Sequence, residues 1–176
     1  MKVVCISGKA RHGKDTIAGM LQEQLEANGH RVLIAHFGDL VKYICEKFFQ
    51  WDGNKDEKGR TLLQYVGTDV VRSQRPNYWT DFIVSVLQLF KDEWDFVLVP
   101  DCRFPNEVEC FSENGFDTVL VRINRPGFVS DLTPDQLNHP SETAMDNYPA
   151  DVYVINDGEL KDLYLSTKEV MQFIGG

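Results

Sequence analysis

The chain has 176 residues, of which 43% are hydrophobic and 26% charged, and its formal net charge is -9. This length and composition fit one globular domain and argue against a disordered or collagen-like chain. The acidic balance argues against a protein that holds a long nucleic acid on a broad basic face, because that binding mode neutralises many phosphates. A small anion is still compatible, because Lys9, Arg11, His12 and Lys14 gather cations in one short segment.

Cysteine spacing and hydropathy indicate in which cellular compartment the protein resides. The four cysteines form no CxxC pair, so we expect free thiols. No run approaches the ~20 apolar residues of a membrane span, and glycine rather than a signal-type apolar region follows the first β-like run. We therefore predict a cytoplasmic protein whose partners are small molecules, with neither a membrane nor a nucleic-acid polymer among them. The sequence leaves a homodimer open.

The N-terminal segment predicts a βαβ unit. Residues 2–7 form a β-like run, and a glycine-rich turn leads into a helix in which Ile17, Leu21 and Leu25 recur at four-residue spacing. Asn28-Gly29 ends this helix, and a second strand is predicted over 31–36. Such a unit packs into a parallel sheet with helices on both faces, so the predicted fold class is α/β.

Three strands and two helices are predicted in the second half of the chain. The apolar runs 96–99 and 118–123 predict buried parallel strands, with a helix over 106–113 between them. A fifth strand is predicted over 152–155. A closing helix follows over about 159–173.

Two segments depart from this alternation of strands and helices. Residues 38–93 are helical in character, with polar breaks at 51–56 and 75–77, and predict a helical insertion. The polar, proline-containing stretch 124–149 is a candidate mobile lid. No repeat or change of composition marks a linker, so residues 1–176 are expected to form a single domain.

The segment Gly8-Lys9-Ala10-Arg11-His12-Gly13-Lys14 matches G-x-x-x-x-G-K between a predicted strand and a predicted helix, the context of a phosphate-binding P-loop. Glycines let the backbone approach phosphate oxygens, and the amides and the helix N-terminus attract negative charge. The lysine reaches the β- and γ-phosphates of a nucleotide. The predicted ATP-binding residues here are Gly8, Lys9, Arg11, His12, Gly13, Lys14, Asp15 and Thr16.

Two aspartates are candidate magnesium ligands. Asp15 follows Lys14, where the common motif has Ser or Thr to bind Mg²⁺, and its alternative role is a cap of the helix N-terminus. Asp101 follows an apolar strand, where P-loop enzymes place an acid near the magnesium and the attacking oxygen. The alternative for Asp101 is a plain loop aspartate.

Phosphoryl transfer also needs cations that converge on the moving group, and the arginine fork suits phosphate. Each candidate arginine lies near a predicted strand end or in the insertion, with a surface salt bridge as the alternative. These candidates are Arg72, Arg103, Arg122 and Arg125. Trp79 and Phe37 are candidates to stack on a base, and core packing is the alternative for Trp79.

Gly13-Lys14-Asp15-Thr16 and five further segments together resemble the phage-type deoxynucleoside monophosphate kinases of the P-loop nucleoside-kinase-like group. The further segments are 37–42, 59–68 with Arg72 and Trp79, 101–107, 139–142 and 155–158. The resemblance covers nearly the whole chain. It implies a three-layer sandwich with a five-stranded parallel sheet of order 2-3-1-4-5, an acceptor-binding helical insertion and a lid. It also implies transfer of the γ-phosphoryl of ATP, with Mg²⁺, to a (deoxy)nucleoside 5′-monophosphate.

The same resemblance implies roles for single residues. Those implied in catalysis are Lys14, Asp101, Arg103 and Arg125, and further ATP contacts fall to Asn156 and Gly158. Those implied in acceptor binding are Phe37, Asp39, Lys42, Arg72, Trp79, Arg103, Asn106, Glu107 and Glu142.

Several of these residues have alternatives. Asp39 is also a candidate helix cap, and 156–158 is also compatible with a plain turn. His139 and Glu142 are expected to be lid residues at a turn into a helix rather than a metal pair, with Ser141 as the candidate cap of that helix.

Two alternative functions stay open. A small-metabolite P-loop kinase, acting on dephospho-coenzyme A or phosphomevalonate, shares this fold and differs in its acceptor pocket. A regulatory module that binds ATP without transferring phosphate is the other. Base preference depends on pocket shape and a few hydrogen bonds, which residue spacing does not define.

Overall fold

The computed structural model describes every residue from Met1 to Gly176. The strands are β1 (Lys2–Ser7), β2 (Val32–Ile34), β3 (Phe96–Cys102), β4 (Asp117–Asn124) and β5 (Val152–Ile155). The helices are α1 (Lys14–Ala27), α2 (Gly38–Phe49), α3 (Glu57–Gln64), α4 (Tyr78–Leu89), α5 (Asn106–Glu113), α6 (Pro134–Asn138), α7 (Pro140–Thr143) and α8 (Leu160–Ile174). A π-helical segment, Tyr65–Arg72, joins α3 to the turn before α4.

All five strands are parallel and lie in the order β2-β3-β1-β4-β5, which confirms the predicted α/β class and the sheet order that the resemblance implies. Ser7, the last residue of β1, lies opposite Cys102 of β3 and Arg122 of β4. The carboxyl ends of the central strands therefore meet at one edge of the sheet, where open α/β sheets bind their ligands.

Alternating residues of β1 pack into two separate apolar cores, because successive strand side chains point to opposite faces of a sheet. Val4 and Ile6 lie in one core with residues of α1 and α8. Val3 and Cys5 lie in the other core with residues of α2, α4 and α5. Each fully buried Leu, Ile or Phe in these cores stabilises the fold by about 1.5–3 kcal/mol. The three layers of the predicted sandwich follow from this alternation.

The element bounds agree with the sequence patterns where hydrophobic periodicity is strong. β1, β5 and α5 begin and end at the predicted residues, and both polar breaks of the insertion lie outside helices. β2 is shorter than predicted because its pairing with β3 runs only from Val32 opposite Phe96 to Ile34 opposite Leu98. β3 is longer and reaches Cys102, so that Asp101 lies in the strand rather than in a loop.

The segment 124–149, the predicted lid, contains two short helices, α6 and α7. α7 begins at Pro140, in agreement with the turn into a helix that is expected there. α6 begins with a capping box, in which Thr133 and Gln136 bond reciprocally, and with Pro134 at its first turn. The sequence Thr-Pro-Asp-Gln carries this start signal. None of the helices combines the length and the apolar character that a membrane span requires. The four cysteines are free thiols, as predicted.

Candidate active site

The P-loop joins β1 to α1 and is shaped by two glycines. Gly8 has φ +155° and Gly13 has φ +101°, and Gly13 is the N-cap of α1. A Cβ on Gly8 would lie 2.5 Å from the carbonyl oxygen of Ile123, and one on Gly13 would lie 2.9 Å from Asn156 Nδ2. Only glycine fits both the dihedral angles and the space, so backbone amides line the cradle at the N-terminus of α1.

Lys14 is folded back over this loop. Its Nζ donates to the carbonyl oxygens of Gly8 at 2.9 Å and Lys9 at 2.8 Å, and the residue is buried. Burial, and secondarily the positive charge of Arg103, lower the pKa of Lys14 to about 7. An anion in the cradle would favour the protonated form, because it would offset both effects.

Asp15 lies in the first turn of α1 and does not cap it, since no side chain bonds at the Gly13 N-cap. The capping alternative is therefore wrong. The Asp15 side chain is 83% exposed, and its Oδ1 lies 3.3 Å from His36 Nε2. This hydrogen bond lowers the pKa of Asp15 and raises that of His36. Thr16, the next residue, is exposed.

A cavity of about 700 Å³ extends from the P-loop to the helical insertion. Lysines and arginines outnumber acidic residues in its lining, although the whole chain is acidic. The basic residues are Arg11, Lys14, Lys42, Lys55, Arg60, Arg72 and Arg103, against Asp15, Asp101, Glu107 and Glu142. Such a volume fits a small ligand, and the excess of cations fits an anionic one.

Asp101 connects the end of β3 to the start of α2. Its Oδ1 accepts from the Phe37 amide at 3.1 Å, and its Oδ2 accepts from the Gly38 amide at 2.8 Å. Burial raises the pKa of Asp101, and the Gly38 amide and His36 oppose that rise. The loop-aspartate alternative is wrong, because this carboxylate satisfies two amides that begin α2.

Arg72 is held in the cavity wall by the start of α5. Its guanidinium pairs with the Glu107 carboxylate, donates to Asn106 Oδ1 at 3.1 Å and lies 4.0 Å from the centre of the Phe104 ring. Glu107 Oε2 also accepts from the amides of Arg103 at 2.5 Å and Phe104 at 3.0 Å. Burial raises the pKa of Glu107 to about 7, and the charge of Arg72 opposes that rise. Glu107 thus positions both Arg72 of the helical insertion and the backbone of Arg103 and Phe104 after β3.

Phe37 and Trp79 line the cavity from the core. Phe37 is 4% exposed and lies against Phe111, with ring centres 5.9 Å apart. Trp79 is 2% exposed and its Nε1 donates to the carbonyl oxygen of Gly67 at 2.9 Å. Trp79 is therefore packed in the core, as its alternative role predicts, and its ring also forms part of the cavity wall.

The other acceptor candidates lie at the edges of the site. Asp39 is in the first turn of α2, whose N-cap is Phe37, so the capping alternative for Asp39 is wrong. Asp39 pairs with Lys42 at 2.7 Å, and of the two only Lys42 lines the cavity. His139, rather than Ser141, caps α7: its Nδ1 accepts from the Ser141 amide at 3.2 Å.

The predicted residues that do not line this cavity include Arg122, Arg125, Asn156 and Gly158. Arg122 Nε donates to Ser7 Oγ at 3.3 Å, and Arg125 lies over the Phe128 ring, 5.0 Å from its centre. Asn156 Nδ2 donates to the carbonyl oxygen of His12 at 2.9 Å and so supports the back of the P-loop. Gly158 precedes α8, where a Cβ would lie 2.5 Å from Asp162 Oδ2.

Sequence patterns did not indicate several residues that line the cavity. Lys55 lies outside every segment that carries the resemblance, and Arg60 and Gln64 lie within segment 59–68 without an individual predicted role. Asp131 of the lid lies 2.8 Å from Arg11 and 4.0 Å from Arg60, and so connects the P-loop to the insertion.

Comparisons with known proteins identify the family of the chain. The family model for deoxynucleotide monophosphate kinase matches residues 39–167. A putative deoxynucleotide monophosphate kinase of Acanthamoeba polyphaga mimivirus is 26% identical over 191 residues, covering 93% of either chain. The deoxynucleotide monophosphate kinase of Enterobacteria phage T4 is 28% identical over 117 residues, which are 65% of this chain. That match spans about half of the phage protein, 46% of its length.

A protein named for a different kinase activity is also similar. The phosphomevalonate kinase of Drosophila melanogaster is 31% identical over 178 residues, covering 91% of this chain and 90% of that one. Among solved structures, the Mycobacterium tuberculosis APS kinase in complex with AMPPNP and APS superposes with a TM-score of 0.54 at 14% identity and 97% coverage of both chains. The shikimate kinase of Aquifex aeolicus gives 0.52 at 14% identity and 99% coverage of both. These low identities support the kinase fold alone.

The family model covers most of the chain, residues 39–167. The resemblance inferred from the sequence is confirmed: the chain belongs to the deoxynucleotide monophosphate kinase family and is a nucleotide kinase.

Proposed function

We propose that this nucleotide kinase transfers the γ-phosphoryl group of Mg²⁺-ATP to the 5′-phosphate of a deoxynucleoside monophosphate. One observation carries the proposal: a single cavity begins at the P-loop, with Lys14, and continues to Arg72 in the insertion, with Arg103 between the two segments. Donor and acceptor phosphates bound at its two ends would meet inside one basic site. Phosphoryl transfer needs little beyond such positioning and charge neutralisation.

On the donor side, the P-loop amides and Lys14 would hold the β- and γ-phosphates of ATP. The support is geometric: the two glycines keep Cβ atoms out of the cradle, and the Lys14 ammonium already bonds to two carbonyl oxygens of the loop. Lys14 would follow the transferring group and neutralise its charge.

On the acceptor side, Arg72 would bind the acceptor phosphate, because Glu107 and Asn106 fix its guanidinium in the wall. Phe37 and Trp79 would border the base or sugar, since both line the same cavity. Arg103 would neutralise charge between the two phosphates.

Asp15 and Asp101 would hold Mg²⁺. Carboxylate oxygens are the ligands that this cation prefers, Asp15 is largely exposed, and each Asp101 oxygen accepts a single amide hydrogen bond, which leaves a lone pair. When bound, Mg²⁺ supplies charge neutralisation on the phosphates of ATP. The other roles described above belong to the side chains and amides of the protein.

The second candidate is a kinase of phosphomevalonate, and the similarity to the Drosophila enzyme favours it. A regulatory module without turnover is less compatible with the site, because a nucleotide sensor does not require the arginines that line the acceptor end of the cavity.

One assay separates these functions. ADP formation from Mg²⁺-ATP is measured with each deoxynucleoside monophosphate, the ribonucleotides, phosphomevalonate and dephospho-coenzyme A. We expect turnover with at least one deoxynucleoside monophosphate. Turnover with phosphomevalonate alone would establish the second candidate, and tight ATP binding without any product would establish the regulatory module.

A further inference from the structure

The lid carries a carboxylate into the junction between the donor and acceptor sides of the cavity. Glu142 lies in α7, whose orientation is fixed by its cap: the His139 side chain accepts from the Ser141 amide, and His139 Nε2 lies 3.1 Å from Asp69 of the insertion. The Glu142 side chain is only 7% exposed. It points inward although its helix forms part of the lid.

Each oxygen of this carboxylate has a different partner. Oε1 accepts from Arg103 Nη1 at 2.6 Å, and Oε2 accepts from the backbone amide of Ala10, in the P-loop, at 3.1 Å. The carbonyl oxygen of Glu142 also accepts from Lys9 Nζ at 2.5 Å. One lid residue therefore connects the P-loop backbone to the guanidinium at the end of β3.

The contact leaves part of Arg103 available. Nη1 bonds to Glu142 and to the carbonyl oxygen of Ser141, whereas Nε and Nη2 make no hydrogen bond within the protein. The Arg103 side chain is 26% exposed and lines the cavity. An arginine anchored at one edge loses less rotamer freedom when its other donors bind phosphate.

We propose that Glu142 is a positioning residue that acts through Arg103, aiming its free donors at the transferring phosphoryl group while the lid lies on the P-loop. The proposal rests on the proposed function, because it requires phosphoryl transfer in this cavity. The Ala10 contact couples the packing of the lid on the P-loop to the orientation of Arg103, because the Glu142 carboxylate that orients Arg103 is in place only when the lid contacts the loop.

The test is a double-mutant cycle with Glu142→Gln and Arg103→Gln. Glutamine keeps the shape of Glu142 and an oxygen for the Ala10 amide but loses the charge that orients Arg103. We expect Glu142→Gln to lower kcat about 10- to 100-fold with less than about 3-fold change in either KM. In the Arg103→Gln background the same change should cause no further loss, because the group through which it acts is gone.

Asp146→Asn is the matched control. Asp146 also belongs to the lid and also pairs with the P-loop, through Lys9, but it has no contact with Arg103. If Glu142 only anchored the lid, Asp146→Asn would reproduce its kcat loss. We expect a loss of less than about 3-fold from this control.

Three outcomes would overturn the proposal: additive losses in the double variant, an equal loss from Asp146→Asn, or unchanged kcat with tighter ATP binding in Glu142→Gln. Hydrogen exchange of the Ala10 amide tests the lid contact without turnover. We expect faster exchange at Ala10 in Glu142→Ala, and unchanged exchange would also contradict the proposal. Wild-type turnover of deoxynucleotides reports on the proposed function separately, so failure of the cycle in an active enzyme rejects only the role of Glu142.

Discussion

The donor end of the cavity is lined by Ala10, Arg11 and Lys14 of a single loop, Gly8 to Lys14, whereas the acceptor end is assembled from side chains of separate segments. Backbone amides form the donor end, and this cradle requires glycines at fixed positions, Gly8 and Gly13. Long charged side chains form the acceptor end, and Arg72, one of them, is held by Glu107, a partner 35 positions away in the sequence. A backbone site is therefore visible in a short sequence pattern, whereas a side-chain site depends on the tertiary structure.

The largest expected effect lies at the donor end. Lys14→Ala removes the ammonium group that bonds to the Gly8 and Lys9 carbonyl oxygens of the P-loop. We expect kcat to fall about 1000-fold at saturating ATP. Steady-state kinetics with the best acceptor measure this, and circular dichroism checks the fold. Wild-type turnover in a folded Lys14→Ala variant would show that Lys14 has no role in phosphoryl transfer.

The second prediction tests whether the cradle depends on the absence of Cβ atoms. Gly8→Ala should lower the free energy of unfolding by about 2–4 kcal/mol, because φ is unfavourable and the Cβ would meet the Ile123 carbonyl oxygen. Gly29→Ala is the matched control: φ is +87°, with no atom within 4 Å of the Cβ, and we expect a loss of about 1 kcal/mol. Urea unfolding measures both, and equal losses would mean that backbone strain alone accounts for the effect.

The third prediction separates the two ends kinetically. Arg72→Lys keeps the charge but loses the fork that pairs with Glu107 and Asn106, so we expect the KM of the acceptor to rise about 10- to 100-fold with the KM of ATP unchanged. Arg75→Lys, an exposed neighbour, should change neither constant. An equal rise in both KM values for Arg72→Lys would show that the two ends are not built independently.

The smallest expected effect is a pH dependence of the donor end alone. The pKa of Lys14 is lowered to about 7, so the free enzyme loses this charge as the pH rises above 7. Since a phosphate anion binds the protonated form, ATP binding above pH 7 should take up a proton, and affinity should fall by up to about 10-fold per pH unit.

Calorimetry in buffers of different ionisation enthalpy measures that proton uptake. Lys14→Arg keeps a charge that does not titrate in this range and serves as the control for protons taken up or released by ATP itself. Equal proton uptake by both proteins at pH 8 would mean that Lys14 is already protonated before ATP binds.

Local patterns identified much of the fold. The bounds of β1, α5 and β5 followed from hydrophobic periodicity and turn residues, since these depend on neighbours within one element. No helix is predicted at α6, although the capping box at Thr133 is a local signal, whereas the turn into a helix expected near His139 and Ser141 corresponds to α7. β2 was overestimated, because the length of an edge strand depends on how many residues of β3 face it.

The roles of individual side chains are harder to predict from the sequence than the fold. Asp15 and Asp39 have the residue type and position of helix caps, yet the caps are Gly13 and Phe37. The oxygens of Glu142, a candidate acceptor-binding residue, bond to Ala10 and Arg103, the former 132 positions away. Such contacts depend on how the lid packs against the loop, and residue spacing carries no information about them.

The sequence by itself determined the α/β class and the P-loop, because hydrophobic periodicity and a glycine-dependent backbone turn are local properties, and its resemblance to a known family implied the sheet order. Only the tertiary structure decided which charges face one another: Glu107 with Arg72, Glu142 with Arg103 and the P-loop, and Asp101 with the first amides of α2. The physical reason is that a buried charge must find a partner in space, and the partner is supplied by the packing of distant elements rather than by neighbours in the chain.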